Sequence, residues 1–76
     1  MGSLIVKGSD IYEITPRGSR LVLGYTVKDG VVYKNSGIPG RDPEFVSNRL
    51  SVDKHGNINL DIPGRAPLAA TEDDLK

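Results

Sequence analysis

Residues 19–34 read SRLVLGYTVKDGVVYK, and their pattern decides the class of fold. From Ser19 to Lys28, Leu21, Leu23, Tyr25 and Val27 fall on one face and Arg20, Val22, Gly24 and Thr26 on the other. That period of two is what a half-buried strand requires. Asp29-Gly30 follows as a two-residue turn, because glycine accepts positive φ and aspartate tolerates it, and Val31-Val32-Tyr33-Lys34 is the returning strand. The stretch predicts a β-hairpin.

The same pattern recurs on both sides. Upstream, Leu4 to Lys7 and Asp10 to Thr15 are rich in β-branched residues, are parted by Gly8-Ser9 and are closed by Pro16-Arg17-Gly18. Downstream, a hairpin spans Arg49 to Ile62: Leu50 and Val52 run up, Asp53-Lys54-His55-Gly56 turns, and Ile58, Leu60 and Ile62 return against Asn57, Asn59 and Asp61. The expected fold class is therefore all-β: a small sheet or barrel of five to six short strands built from hairpins, with one or two short helical turns.

A six-residue phrase stands after each of the last two hairpins. Residues 38–43 read IPGRDP and residues 62–67 read IPGRAP, twenty-four positions apart. Proline presets φ for the second position of a turn and glycine supplies the positive φ that a type II turn needs at the third, so both phrases predict a sharp bend. A weak internal duplication of hairpin, turn and short helix follows. Asp42, Pro43 and Glu44 suit the start of a short helix over Glu44 to Arg49, and Thr71 suits the cap of a last turn with Asp74 facing back to it. Residues 68–76 are expected to be a mobile acidic tail or a short terminal helix.

Length limits what such a chain can bury. Its 76 residues make a single small domain, 1–76, and domains of this size bury only about 60% of their unfolded surface. Leu, Ile, Val and Phe make 21 of the 76 residues, above the roughly 20% below which chains stay disordered. A folded domain is expected, with a thin core. The absence of cysteine removes disulfides, thiolate metal sites and cysteine nucleophiles, which leaves self-association as the natural reinforcement.

Charge offers no partner. Ten basic and ten acidic residues balance, and the arginines are scattered among acids, whereas proteins that grip phosphate backbones cluster their cations. The run Leu4-Ile5-Val6 is too short for a signal peptide or a membrane span, so no membrane association is expected.

Candidate chemistry is equally sparse. The alternation Asp53-x-His55-Gly56-Asn57-x-Asn59-x-Asp61 looks like the oxygen ligands of a calcium loop, but it lacks the closing glutamate and is accounted for by strand pleat. His55, the only histidine, falls in an exposed turn with no nucleophile or carboxylate at a recognisable spacing. No glycine run cradles phosphate. Neither catalytic residues nor metal ligands nor a cofactor site are expected, and the chain reads as no enzyme. Arg41 and Arg65 emerge from similar bends and suit a partner contact, set against plain pairing with a local acid. Tyr25 and Tyr33, with Tyr12, read as core-edge or interface residues rather than a platform for bases, and Val22 and Val31 as apolar side chains on a second face that needs cover.

The stretch Asn48-Arg49-Leu50-Ser51-Val52-Asp53-Lys54-His55-Gly56-Asn57-Ile58-Asn59-Leu60 resembles phrases common in tailed-phage fibre, spike and other virion proteins, where short β-units pack about a symmetry axis. The resemblance covers about a sixth of the chain. It implies a homo-oligomeric structural or adaptor protein, partnered by itself and by other proteins of an assembly, in a virion or the host cytoplasm. Val52 to Asp74 is also similar to swapped-hairpin DNA-binding regulators and antitoxins, which place glycine, an alternating strand, Ile-Pro and a helix in that order. The spacing from glycine to proline is longer here and the arginine-rich helix is missing.

Overall fold

The computed structural model describes residues 2–75, which form nine short strands and one terminal 3-10 turn. The strands are β1 (Ser3–Lys7), β2 (Asp10–Thr15), β3 (Gly18–Val22), β4 (Tyr25–Lys28), β5 (Val31–Lys34), β6 (Glu44–Phe45), β7 (Leu50–Val52), β8 (Ile58–Leu60) and β9 (Leu68–Ala69). The 3-10 turn is Glu72–Leu75. The fold is β-dominated, as the hairpin pattern requires. Its strands pair into three antiparallel meanders, β1-β2-β3, β4-β5-β6 and β7-β8-β9, and they close no barrel.

The three meanders are versions of one unit. Directly paired residues share a face, so each sheet turns one row of three apolar residues inward. In the first sheet the row is Val6, Ile11 and Val22. In the second it is Val27, Val32 and Val46, whose N–H donates to the Val32 carbonyl. In the third it is Val52, Ile58 and Ala70, whose N–H donates to the Ile58 carbonyl. The middle residue of every row is buried, with Ile11, Val32 and Ile58 all within 2% of complete burial. Leu4, Tyr25 and Leu50 hold the same place one step back along the first strand of each unit, and all three join the core. A triplication is present where the sequence pattern points to a duplication.

Sheet joins sheet in cyclic order. β2 lies against β4, β5 against β7, and β8 against β1, so the central strand of each unit meets the first strand of the next and the third unit closes on the first. Two of these junctions are tied by equivalent backbone bonds: the Val27 N–H donates to the Ser9 carbonyl at 2.9 Å and the Val6 N–H to the Gly56 carbonyl at 2.7 Å. The molecule is flattened, 37 × 33 × 22 Å, as three units set in a ring would be.

Three local expectations are corrected. The run from Ser19 to Lys28 is not one strand, because the chain turns at Leu23-Gly24 and β3 and β4 enter different sheets. The turn shifts the phase, so Val22 faces inward and Leu21 outward, while Tyr25 and Val27 are also inward. No helix follows Pro43. Glu44–Phe45 is instead strand β6 on the edge of β5, where its backbone gains ladder bonds that a six-residue helix without an apolar stripe could not replace. After the second hexamer, Leu68–Ala69 forms β9 in the equivalent place, and only then does the 3-10 turn begin. There the Asp74 carboxylate faces back to Thr71 as expected, accepting from both its N–H and its hydroxyl, while the Asp74 N–H donates to the Thr71 carbonyl rather than to its side chain, so only the Asp74 half of a capping box is formed.

Candidate interaction surfaces

Both IPGR phrases form the bend their composition dictates. Arg41 N–H donates to the Ile38 carbonyl at 3.2 Å and Arg65 N–H to the Ile62 carbonyl at 3.0 Å, with φ of 85° at Gly40 and 77° at Gly64. Those values are the positive φ of a type II turn, open to glycine at little cost. In the second and third units the bend carries the chain from the central strand to the outer one. Arg41 and Arg65 are exposed, and among the described residues neither makes an ion pair within the chain.

The ion pairs lie elsewhere. Arg20, on the inward side of β3, donates to Glu13 of β2 at 2.9 Å and to Glu72 of the 3-10 turn at 2.5 Å. The Glu13 hydrogen bond, and after it the Glu72 hydrogen bond, raise the pKa of the guanidinium. Tyr25 adds a second tie, its hydroxyl donating to the Leu75 carbonyl at 3.3 Å, and Leu75 itself is buried. The terminal turn is thus clamped over the open end of the core. Arg20 was read as merely alternating with apolar neighbours, and its partner 52 residues away left no local signal.

Asp53 explains the calcium-like alternation. Its carboxylate accepts from the N–H of His55 at 2.8 Å, the N–H of Asn57 at 2.9 Å and the side-chain amide of Asn59 at 3.3 Å. These donors, the Asn57 N–H above all, hold its pKa below the ordinary value. The loop from β7 to β8 is built around this carboxylate, whose oxygens are turned to the chain's own donors. His55 sits exposed within the loop.

The outer faces of the three sheets differ in kind. On β7-β8-β9 the outward row is Ser51, Asn59 and Ala69, small and polar. On β4-β5-β6 it is Thr26, Tyr33 and Phe45, with the two rings edge to face at 6.4 Å and Phe45 exposed. Val31 shares that face, opposite Lys28. A cleft of about 370 Å³ opens beside Tyr33, lined also by Thr26, Lys28, Asp42 and Pro43. On β1-β2-β3 an unbroken apolar row, Ile5, Tyr12 and Leu21, crosses all three strands. Ile14 lies beside it, and Leu23, in the turn after β3, has 79% of its surface exposed. Lys7 reaches over the Tyr12 ring at 5.7 Å.

The sequence-predicted contact residues therefore separate. Tyr33 and Val31 lie on one outward face, Tyr25 and Val22 point to the core, and Arg41 and Arg65 stand on two turns. The apolar face of β1-β2-β3 was missed, although its signal was legible. Leu4-Ile5-Val6 and Ile11-Tyr12 are continuous rather than alternating, the mark of a strand apolar on both sides. No family model matches the chain, and no curated protein and no solved structure is found similar to it.

Proposed function

We propose that the chain is a non-enzymatic structural or adaptor module that acts through protein-protein contacts as a homo-oligomer, with a virus particle as its setting. One observation carries the oligomer: the chain exposes 5457 Å², whereas a compact monomer of 8.2 kDa exposes about 4,500 Å². The excess of about 900 Å² is close to the roughly 800 Å² that each partner contributes to a standard interface. Surplus surface alone is not adhesive, but Ile14, Leu21, Leu23, Ile38, Phe45 and Leu68 are all large, apolar and exposed. A formal net charge of zero removes the repulsion that keeps like copies apart.

The virus-particle setting rests on the resemblance of residues 48–60 to virion β-units. Light scattering combined with sedimentation at micromolar concentration tests the oligomer, and a monodisperse monomer throughout would overturn it. Neighbouring genes for virion components support the setting, whereas a toxin gene beside this one, with duplex binding that weakens steeply with salt, would replace the proposal by a DNA-binding regulator.

A further inference from the structure

Resting on the homo-oligomer reading, we infer that the outer face of β1-β2-β3 is the self-association surface, and that its occupant is the same face of a second copy. Three sheets present outward faces, and this one alone is apolar across every strand. Its central row is Ile5, Tyr12 and Leu21, with Ile14 on one side, and Leu23, 79% exposed, follows in the turn after β3. The polar outer face of β7-β8-β9 offers nothing comparable, and on β4-β5-β6 the two rings already cover part of one another.

Charge narrows the occupant. The face holds one cation and one anion, Lys7 and Asp10, directly opposite each other at the end of the plate. It therefore suits neither a polyanion nor a strongly basic partner. A second copy meets it with matching apolar rows and no net charge to repel it. A two-fold axis makes such a contact self-complementary and closed, so it yields a discrete dimer. Two twisted sheets stack face to face at about 10 Å, near enough for Tyr12 and Leu21 of each copy to interdigitate.

Leu21 and Phe45 separate this inference from the oligomer reading, because both are exposed and each stands on a different face. Sedimentation equilibrium of the wild type, Leu21→Lys and Phe45→Lys is the experiment, with circular dichroism as a check of fold. Leu21→Lys should weaken association by about tenfold or more, since an ammonium is forced against the partner's apolar row, and Phe45→Lys should change it by less than about threefold. Hydroxyl-radical footprinting of the wild type across a dilution series gives a second measurement that needs no variant. Tyr12, Ile14 and Leu21 should lose reactivity as concentration rises, while Tyr33 and Phe45 keep theirs. A wild-type multimer whose protection or sensitivity lies at Phe45 and not at Leu21 overturns this surface and leaves the oligomer standing. A wild-type monomer overturns both.

Discussion

Val6 and Gly56 meet across the seam where the third unit closes on the first. The Val6 N–H donates to the Gly56 carbonyl, and a Cβ added at Gly56 would lie 3.1 Å from the Val6 carbonyl oxygen. Gly56 also has a φ of 85°. Gly64 shares the positive φ but has open space where its Cβ would stand. Gly64→Ala should therefore cost about 1 kcal/mol, the backbone penalty alone, and Gly56→Ala more, about 2 kcal/mol. Urea unfolding of the two variants measures the difference, and equal costs would show that the seam contributes nothing.

The buried residues at the middle of the three rows should behave alike. Ile11→Ala and Ile58→Ala each delete a fully buried side chain from a core with little room to relax, so each is expected to cost about 2–5 kcal/mol, with Val32→Ala toward the lower end. A small domain has little stability to lose. Because the units share one core, amide exchange should show all three sheets opening together in each variant. Loss of protection in the mutated sheet alone would mean three independent units.

Arg20→Ala should release the terminal turn without dissolving the sheets. The amides of Glu72–Leu75 should exchange faster, as Leu75 loses its anchor, while those of β2 and β5 are little changed. Since Arg20 and its partners reach solvent, added salt should produce part of the same loosening in the wild type. An Arg20→Ala protein whose terminal amides exchange at the wild-type rate would remove the clamp from the account.

Acid should act on the loop from β7 to β8. The Asp53 carboxyl titrates below its ordinary value of 3.8 when folded, so the protein favours its charged form. The stability it contributes is fully present above the unfolded value, near pH 4, and is lost as pH falls through the lower folded value. Below pH 4 the wild type should lose loop protection that Asp53→Asn, with no charge to titrate, does not lose over the same interval. Nuclear magnetic resonance of the His55 and Asn57 amides from pH 6 to 2 follows it directly.

The two arginine-bearing bends test the remaining expectation from the repeated phrase. Arg41 and Arg65 are exposed and, among the described residues, unpaired within the chain, and they stand on turns of the second and third units away from the β1-β2-β3 face, so replacing both with alanine should leave association within about threefold, and a larger loss would place them at a subunit contact. Sedimentation and thermal unfolding of the double variant separate the effects. A drop in melting temperature with association unchanged would assign the arginines to the turns themselves.

Local chemistry was legible in the sequence, and long-range pairing was not. Asp29-Gly30 forms its turn with φ of 53° and 76°, the IPGR bends are type II, and Asp74 faces back to the Thr71 N–H as the spacing requires. Each of those features is decided within four residues. Leu23-Gly24 defeated the same reasoning, since a strand that continues and one that turns into a new sheet share the same alternation, and which occurs depends on where β4 finds β5. The first unit escaped notice as a repeat because Pro16-Arg17 replaces the long IPGR connection, so only its buried row, and no shared phrase, betrays the kinship. The continuous runs Leu4-Ile5-Val6 and Ile11-Tyr12 do signal an apolar outer face on β1 and β2, but Leu21 and Val22 are equally apolar, and only the register shows which of them completes it on β3.

The ring of meanders also bears on how such a chain could have arisen. Val22, Val46 and Ala70 recur at intervals of twenty-four, so a peptide of that length holds one strand triplet with one buried row. Alone, it would have nothing to set that row against; three copies meeting head to tail would complete the core at a penalty that rises on dilution. Tethering them in tandem makes the encounter intramolecular, at effective concentrations on the order of millimolar, and fixes the stoichiometry at three. Each copy would then be free to diverge on its outward side, and it is there that the three faces differ, while the inward rows are apolar in all three.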